Sequence, residues 1–246
     1  MRIALLADLH ANREATEACL SALRKHGCDQ YVFLGDLVGY GADPAWVVDT
    51  VRGFVADGGI CVLGNHDQAV FNPPSAHMVP EAREAIAWTS RQLDVAQRDF
   101  LQQLPLQVSD GNRLYVHANA WNPAGWAYVD GRLNASRNLD ATTQWLTFCG
   151  HVHMPALYYS QPVTAGHFVP VPGTPVPLLP GRRWLAIPGA CGQPRDGNPA
   201  AACAVLDTDK STLTFLRVPY DHERTAEKIL AAGLPAAFAE RLAKGT

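Results

Sequence analysis

Five short apolar runs recur through residues 3–149, and each is followed at once by side chains able to bind a metal ion. Residues 3–7 (IALLA) run into Asp8-Leu9-His10, and residues 31–35 (YVFLG) into Asp36. Residues 60–64 (ICVLG) run into Asn65-His66-Asp67. Residues 113–116 (RLYV) end on His117, and residues 145–149 (WLTFC) lead through Gly150 to His151-Val152-His153. Uniformly apolar runs of this length suit strands covered on both faces, which is the condition of parallel strands in an α/β sheet. Ligand sites in such sheets lie at the carboxyl edge, where all five runs deliver their polar residues.

The intervening segments read as helices. Asn12 is a good N-cap, Ala15, Ala18, Cys19, Ala22 and Leu23 repeat at helical spacing, and Gly27 is a suitable stop. Asp43-Pro44 is a cap followed by a first-turn proline, ahead of a stripe of Val47, Val48, Val51 and Val55. Residues 80–104 read as one helix that Pro105 ends. Residues 121–136 show no clear period. Residues 155–183 hold seven prolines and predict an excursion or irregular hairpin, which rims the site, serves a contact between copies or covers a sheet edge. The runs WLAIP, ACAVLD and LTFLRV predict strands, the last two turning at Thr208-Asp209. A broken helix from His222 closes the chain.

The chemistry follows from donor types. Asp8 and His10, like His151 and His153, are two apart, and extended backbone would turn both members of each pair to one side. Carboxylate, carboxamide and imidazole donors suit Mn²⁺, Fe, Ni²⁺ or Zn²⁺, and without a thiolate among them a structural zinc site is disfavoured. Each motif alone is weak: with nine histidines in 246 residues, a His-x-His arises by chance in about one such chain in three. Five of them in order at strand ends are not ordinary turns and caps. Gly35, Gly64 and Gly150 precede ligands, where the backbone has to turn sharply.

Length and composition bound the rest. A chain of 246 residues, 48% hydrophobic and with a net charge of −3, is read as one domain over residues 1–246 with ample core. It has no apolar run near the roughly 20 residues of a membrane span, and MRIALLADLH does not read as a secretory signal, lacking the long apolar stretch and small-residue cleavage site. The charge balance does not indicate nucleic acid as a partner. The six cysteines form no CxxC and read as reduced thiols of a cytoplasmic protein.

Taken together, Asp8-Leu9-His10, Gly35-Asp36, Gly64-Asn65-His66-Asp67, Val116-His117 and Gly150-His151-Val152-His153 resemble the calcineurin-like metallophosphoesterases in order. The nearer likeness is to a small bacterial and archaeal phosphodiesterase-like branch, through DLHAN, GDLVGYGADP, PGACGQPRDGNPAA and the tail RVPYDHERTAEKILAAGLP. The resemblance implies a four-layer α-β-β-α sandwich of two mixed sheets and a site for two divalent ions, with Mn²⁺ the leading candidate. By position, Asp8, His10 and His153 would hold one ion, Asn65, His117 and His151 the other, and Asp36 would bridge them. A hydroxide shared by the ions would attack phosphorus, with His66 stabilising the transition state and protonating the leaving oxygen. Asp67 or Asp43 would orient His66. The expected substrate is a small phosphodiester or nucleotide-like molecule. A phosphomonoesterase and a non-catalytic scaffold are the rival readings, and a homo-oligomer is open.

The chain departs from the protein phosphatases in having GDLVGYG where they carry GDxxDRG, and from the nearer branch in having Ala118-Asn119 after His117. Arg195 and Asn12 are further candidates for substrate contact, with a turn ion pair to Asp196 and a helix cap as their plainer roles. Trp121, Trp126 and Tyr128 are either an aromatic wall or local packing, and Tyr40 is open in the same way. His26, His77, His167 and His222 read as surface or structural.

Overall fold

The computed structural model describes residues 1–72 and 79–246, so His77 lies outside the described residues. The strands are β1 (Arg2–Leu6), β2 (Gln30–Phe33), β3 (Ile60–Cys61), β4 (Gln107–Asp110), β5 (Arg113–Val116) and β6 (Leu146–Phe148). They continue as β7 (Ala156–Tyr159), β8 (Gly166–Phe168), β9 (Pro175–Pro177), β10 (Trp184–Ile187), β11 (Ala201–Asp207) and β12 (Thr212–Val218). The helices are α1 (Arg13–Lys25), α2 (Pro44–Ala56), α3 (Asn65–Ala69), α4 (Pro80–Gln92), α5 (Val95–Gln103), α6 (Arg132–Asp140), α7 (His222–Ala231) and α8 (Ala236–Lys244).

Two six-stranded mixed sheets form, in the orders β3-β2-β1-β11-β12-β9 and β4-β5-β6-β10-β7-β8. In the first sheet β1, β2 and β3 are mutually parallel; in the second, β5, β6 and β10 are. The period-2 alternation of β1 explains the layering. Ile3 and Leu5 face the second sheet and pack with Tyr115, Leu146 and Phe148. Ala4 and Leu6 face outward, against Cys19 and Leu23 of α1 and Val47 and Val51 of α2. On the far side Val116, Leu185 and Ile187 pack against Ala135 and Leu139 of α6. The order is helix, sheet, sheet, helix, the four-layer sandwich expected. Full burial of a side chain such as Phe148 contributes about 1.5–3 kcal/mol, and the inter-sheet layer is built of such residues.

Several expectations are corrected. Residues 80–104 form two helices, because Asp94 caps α5: its Oδ1 accepts from Gln97 N at 2.8 Å, and Gln97 Oε1 accepts from Asp94 N at 3.0 Å. Asp43 precedes α2 without capping it, and its carboxylate accepts from Lys228 at 2.8 Å instead. The proline-rich stretch is partly regular. It pairs β7 with β8, crosses to the other sheet as β9, and so supplies an edge strand to both. Pro175 and Pro177 are tolerated because β9 is an edge, where a missing N–H breaks no internal ladder. The turn between β11 and β12 takes four residues, 208–211, with Ser211 in the left-handed region. Among the described residues no helix is long and apolar enough to cross a membrane.

Candidate metal centre and its cavity

The seven side chains expected as ligands meet at the carboxyl ends of β1, β2, β5 and β6 and the start of α3. Six of them are nearly or wholly buried, and Asn65 is half-buried. Five of the seven, Asp8, His10, Asp36, His151 and His153, have φ between +48° and +68°. The two-apart pairs therefore do not share a side through extended backbone. They leave the strands and curl through left-handed turns, a conformation that costs about 1–2 kcal/mol per non-glycine residue. Pairing offsets this cost: Asp8 N, His10 N and Ala11 N donate to the carbonyls of Gly35, Asp36 and Leu37 at 2.8–3.1 Å, extending the β1–β2 contact past the strand ends. Gly64 is required by closeness, since a Cβ there would overlap the backbone and carboxylate of Asp36.

Four imidazoles are held alike. His10 Nδ1 donates to Val38 O at 3.0 Å, His117 Nδ1 to Leu34 O at 2.7 Å, His153 Nδ1 to Gln193 O at 2.6 Å and His151 Nε2 to Trp126 O at 2.9 Å. A carbonyl only accepts, so each outer nitrogen carries the proton and each inner nitrogen of a neutral ring is a bare lone pair. Those lone pairs converge. His10 Nε2 and His153 Nε2 are 3.1 Å apart, with Asp8 Oδ1 3.6 Å from His153 and Asp36 Oδ2 3.8 Å from His10. His117 Nε2 is 3.2 Å from His151 Nδ1, 3.2 Å from Asn65 Oδ1 and 3.3 Å from the same Asp36 Oδ2. Two adjoining nests of acceptors thus share one carboxylate oxygen. Such an arrangement is repulsive unless cations fill it, and its donor set fits two divalent ions.

The electrostatics agree. Burial drives His10 and His153 well below the usual imidazole range and His151 down to about 3, leaving them neutral as ligands must be. Burial opposes charge on His117 too, but Asp36 and Asp8 outweigh it and raise its pKa to about 9. Without a cation, the proton goes where one nest would hold an ion. Burial also raises Asp8 to about 7.

His66 differs from these four. Its ring lies 4.9 Å from that of His10 and lines the neighbouring cavity, and its backbone N donates to Asp36 Oδ1 at 2.8 Å. Its buried Nδ1 has no partner among the described residues. A nitrogen of His66 comes near enough to His10 and Asp36 to share an ion, but among the described residues no carbonyl pins its proton. Neither proposed orienting carboxylate reaches it. Asp67 accepts from the backbone N–H groups of Leu37, Val38 and Gly64, at 2.8, 3.2 and 3.1 Å, and Asp43 pairs with Lys228.

The cluster opens on a cavity of about 720 Å³, lined among others by Tyr40, His66, Trp126, Tyr128, Arg195 and Arg241. Arg195 is not tied to Asp196, which pairs with Arg217; it donates to Gln193 Oε1 at 3.0 Å and Tyr40 Oη at 3.4 Å. Asn12 is corrected. Its Oδ1 caps α1 through Ala15 N at 3.0 Å, and its Nδ2 donates to Gly192 O and Tyr220 Oη, so its amide is spent on the framework. Trp126 and Tyr128 line the cavity, whereas Trp121 packs with Arg137. The proline-rich stretch does not reach the cavity among the described residues. Sequence reasoning missed Arg241 altogether. It comes from α8, which nothing local connects to the ligand motifs, and only the packing of Phe238 on Tyr40, ring centres 4.9 Å apart, brings it there.

Residues 1–211 match the family profile described as the calcineurin-like phosphoesterase superfamily domain. An uncharacterized protein of Methanocaldococcus jannaschii is 31% identical over 253 aligned positions, covering 99% of this chain and 98% of the relative. A crystal structure of a metallophosphoesterase from Sphaerobacter thermophilus superposes with a TM-score of 0.89 at 36% identity, covering 100% of this chain and 99% of the other. A hypothetical protein from Pyrococcus horikoshii shares the fold, with a TM-score of 0.78 at 18% identity over 100% and 98% of the two chains.

Proposed function

The chain belongs to the calcineurin-like phosphoesterase superfamily, and from that premise we propose that it is a dinuclear metal-dependent phosphodiesterase acting on a small, nucleotide-like ester. The observation that carries this reading is the set of four imidazoles with their protons pinned outward, whose inner nitrogens gather in two nests that share one Asp36 oxygen through His10 and His117. Asp8, His10 and His153 would hold one ion and Asn65, His117 and His151 the other, with Asp36, whose carboxylate lies beside both His10 and His117, serving the two. When bound, such a pair supplies Lewis-acid activation of water and neutralises charge on the phosphate oxygens. Mn²⁺ is favoured by the mixture of oxygen and imidazole donors. A cytoplasmic setting belongs to the same reading.

The chain's own groups do the rest. Asp36 Oδ1 fixes the first turn of α3 through His66 N, and so sets where the His66 ring stands. Burial lowers the pKa of His66, so the ring is neutral at pH 7 and offers one N–H. Nδ1 is buried against Gly39 and no described carbonyl accepts from the ring, so Nε2 is the nitrogen left to donate to a phosphoryl or leaving oxygen in the cavity. Trp126 and Tyr128 line the cavity with aromatic surface.

The test is to strip the purified protein with chelator, reload it with Mn²⁺, Ni²⁺, Zn²⁺ or Fe²⁺, and count bound metal. Activity is then read on bis(p-nitrophenyl) phosphate and p-nitrophenyl phosphate. Two ions per chain and diester turnover are expected, with D36N and H117A folded but inactive. Full activity of either variant after reloading refutes the site, and turnover of the monoester alone refutes the diesterase reading.

A further inference from the structure

The cavity beside the metal cluster is larger than one phosphate ester needs. Its volume of about 720 Å³ lies within the roughly 300–1,000 Å³ typical of sites for whole small molecules. No aspartate or glutamate side chain is among the described residues that line it away from the ligand cluster, yet two arginines are.

Neither arginine has an anionic partner among the described residues. Arg195 meets only neutral groups: Nη2 donates to Tyr40 Oη and Gln193 Oε1, and the guanidinium also bonds the Tyr128 hydroxyl. The adjacent carboxylate, Asp196, is taken by Arg217. The Arg241 guanidinium rests 5.9 Å from the Phe238 ring centre and makes no hydrogen bond or ion pair with a described residue. Both are half-buried. Two half-buried cations with no ion pair among the described residues therefore share one cavity, whose described lining holds no acidic side chain and only the exposed carboxylate of Thr246 as a negative group.

Their placement gives the demand a direction. The His66 ring lies 4.6 Å from Tyr40, and Tyr40 lies 4.9 Å from Phe238. Arg195 stands 5.8 Å from the Tyr40 ring centre, and Arg241 stands over the next ring. The two guanidinium groups are thus one and two rings beyond His66, and both line the cavity, Arg241 from above the buried Phe238. Stacking on an aromatic face orients a guanidinium without neutralising it, so its free N–H fork stays available to oxygen. The half-exposed Tyr128 ring stacks on His151 with centres 4.1 Å apart, its hydroxyl bonded to Arg195, and offers a flat apolar surface between the ligand cluster and that arginine.

We propose that this arginine-bearing end takes a second phosphate, so that the substrate class is a nucleotide-like ester carrying two phosphate groups, one at the metal cluster and one between Arg195 and Arg241. The inference rests on the phosphoesterase reading for the first phosphate only. Arginine matches the second by bidentate hydrogen bonding, and the aromatic walls suit the moiety that joins the two.

The test is binding, so that its answer does not depend on turnover. Titration calorimetry is run at low temperature on the Mn²⁺-loaded full chain with AMP and with adenosine 3′,5′-bisphosphate, ligand integrity being checked by chromatography afterwards. The bisphosphate is expected to bind about tenfold tighter or more, from new hydrogen bonds to charged groups. R195Q and R241Q should each bring that ratio close to one. R224Q, on the same C-terminal helices but paired to Glu14, should keep it. Circular dichroism and AMP binding report whether each variant is folded, and R241K is the milder replacement if R241Q is not. Equal affinities in the unaltered protein, or a preference that survives both substitutions, overturns the proposal. Diester turnover without a bisphosphate preference sinks the second subsite alone. A bisphosphate preference without any phosphoester turnover supports the subsite and sinks the phosphoesterase reading instead.

Discussion

Replacing Asp67 by alanine separates the framework of the centre from its chemistry. The carboxylate is wholly buried and accepts three backbone N–H groups, from Leu37 and Val38 on one loop and from Gly64 on another. Those loops carry Asp36 and Asn65, and the carbonyl of Val38 holds His10. Alanine would strand three buried donors at about 1–3 kcal/mol each; with water entering the space to relieve part of it, the loss should be about 3–5 kcal/mol. Asparagine keeps the shape and one oxygen, but sets an amide N–H against that of Gly64, and should cost about 1–3 kcal/mol. The assay is urea unfolding in chelator, so that metal binding does not enter the balance. The two variants should unfold earlier than the unaltered chain, in that order, with the slope unchanged. A D67A variant within about 1 kcal/mol of the unaltered chain would show that the two loops hold each other without this tie, and the argument would be wrong.

Two further outcomes follow from groups away from the ligands. Lys228 joins α7 to Asp43 and Glu14 at 2.8 and 2.5 Å, and its pKa lies above the ordinary 10.5 because those hydrogen bonds outweigh burial. A pKa raised on folding stabilises below the unfolded value and fades as pH rises through the folded one. K228M should therefore lose about 0.5–1 kcal/mol at pH 7 relative to the unaltered chain, a gap that closes above pH 10.5 in thermal or urea unfolding; a gap that widens there would refute the pairing. Burial pushes the Cys28 thiol up to about 11, and Cys61 and Cys149 higher still. Native protein at pH 8 should react with a thiol reagent about a hundredfold more slowly at Cys28 than a free cysteine does, with all six thiols reacting after denaturation; fast native labelling at Cys28 would contradict its burial.

How far the sequence reached can be judged from particular residues. The five apolar runs, their order and their polar endings are local patterns, so β1, β2, β5 and β6 and the residues that follow them were legible before any coordinates. The capping box at Asp94 was also local and was passed over, because the polar stretch around it hides the break between α4 and α5. Helix α6 and strand β4 carry too few apolar residues at a fixed spacing to announce themselves.

What the chain determined by itself is which donors exist and that each follows a strand, since both depend on neighbours in sequence. What only the folded protein decided is how those donors are aimed. The outward protons of His117 and His153 are set by Leu34, 83 positions away, and by Gln193, 40 away. The left-handed turns at Asp8 and His10 are held by the carbonyls of Gly35 and Asp36. Arg241 faces the cavity because α8 packs Phe238 on Tyr40. Such contacts have no spacing to be read, because they arise between segments that meet only when apolar faces are buried together.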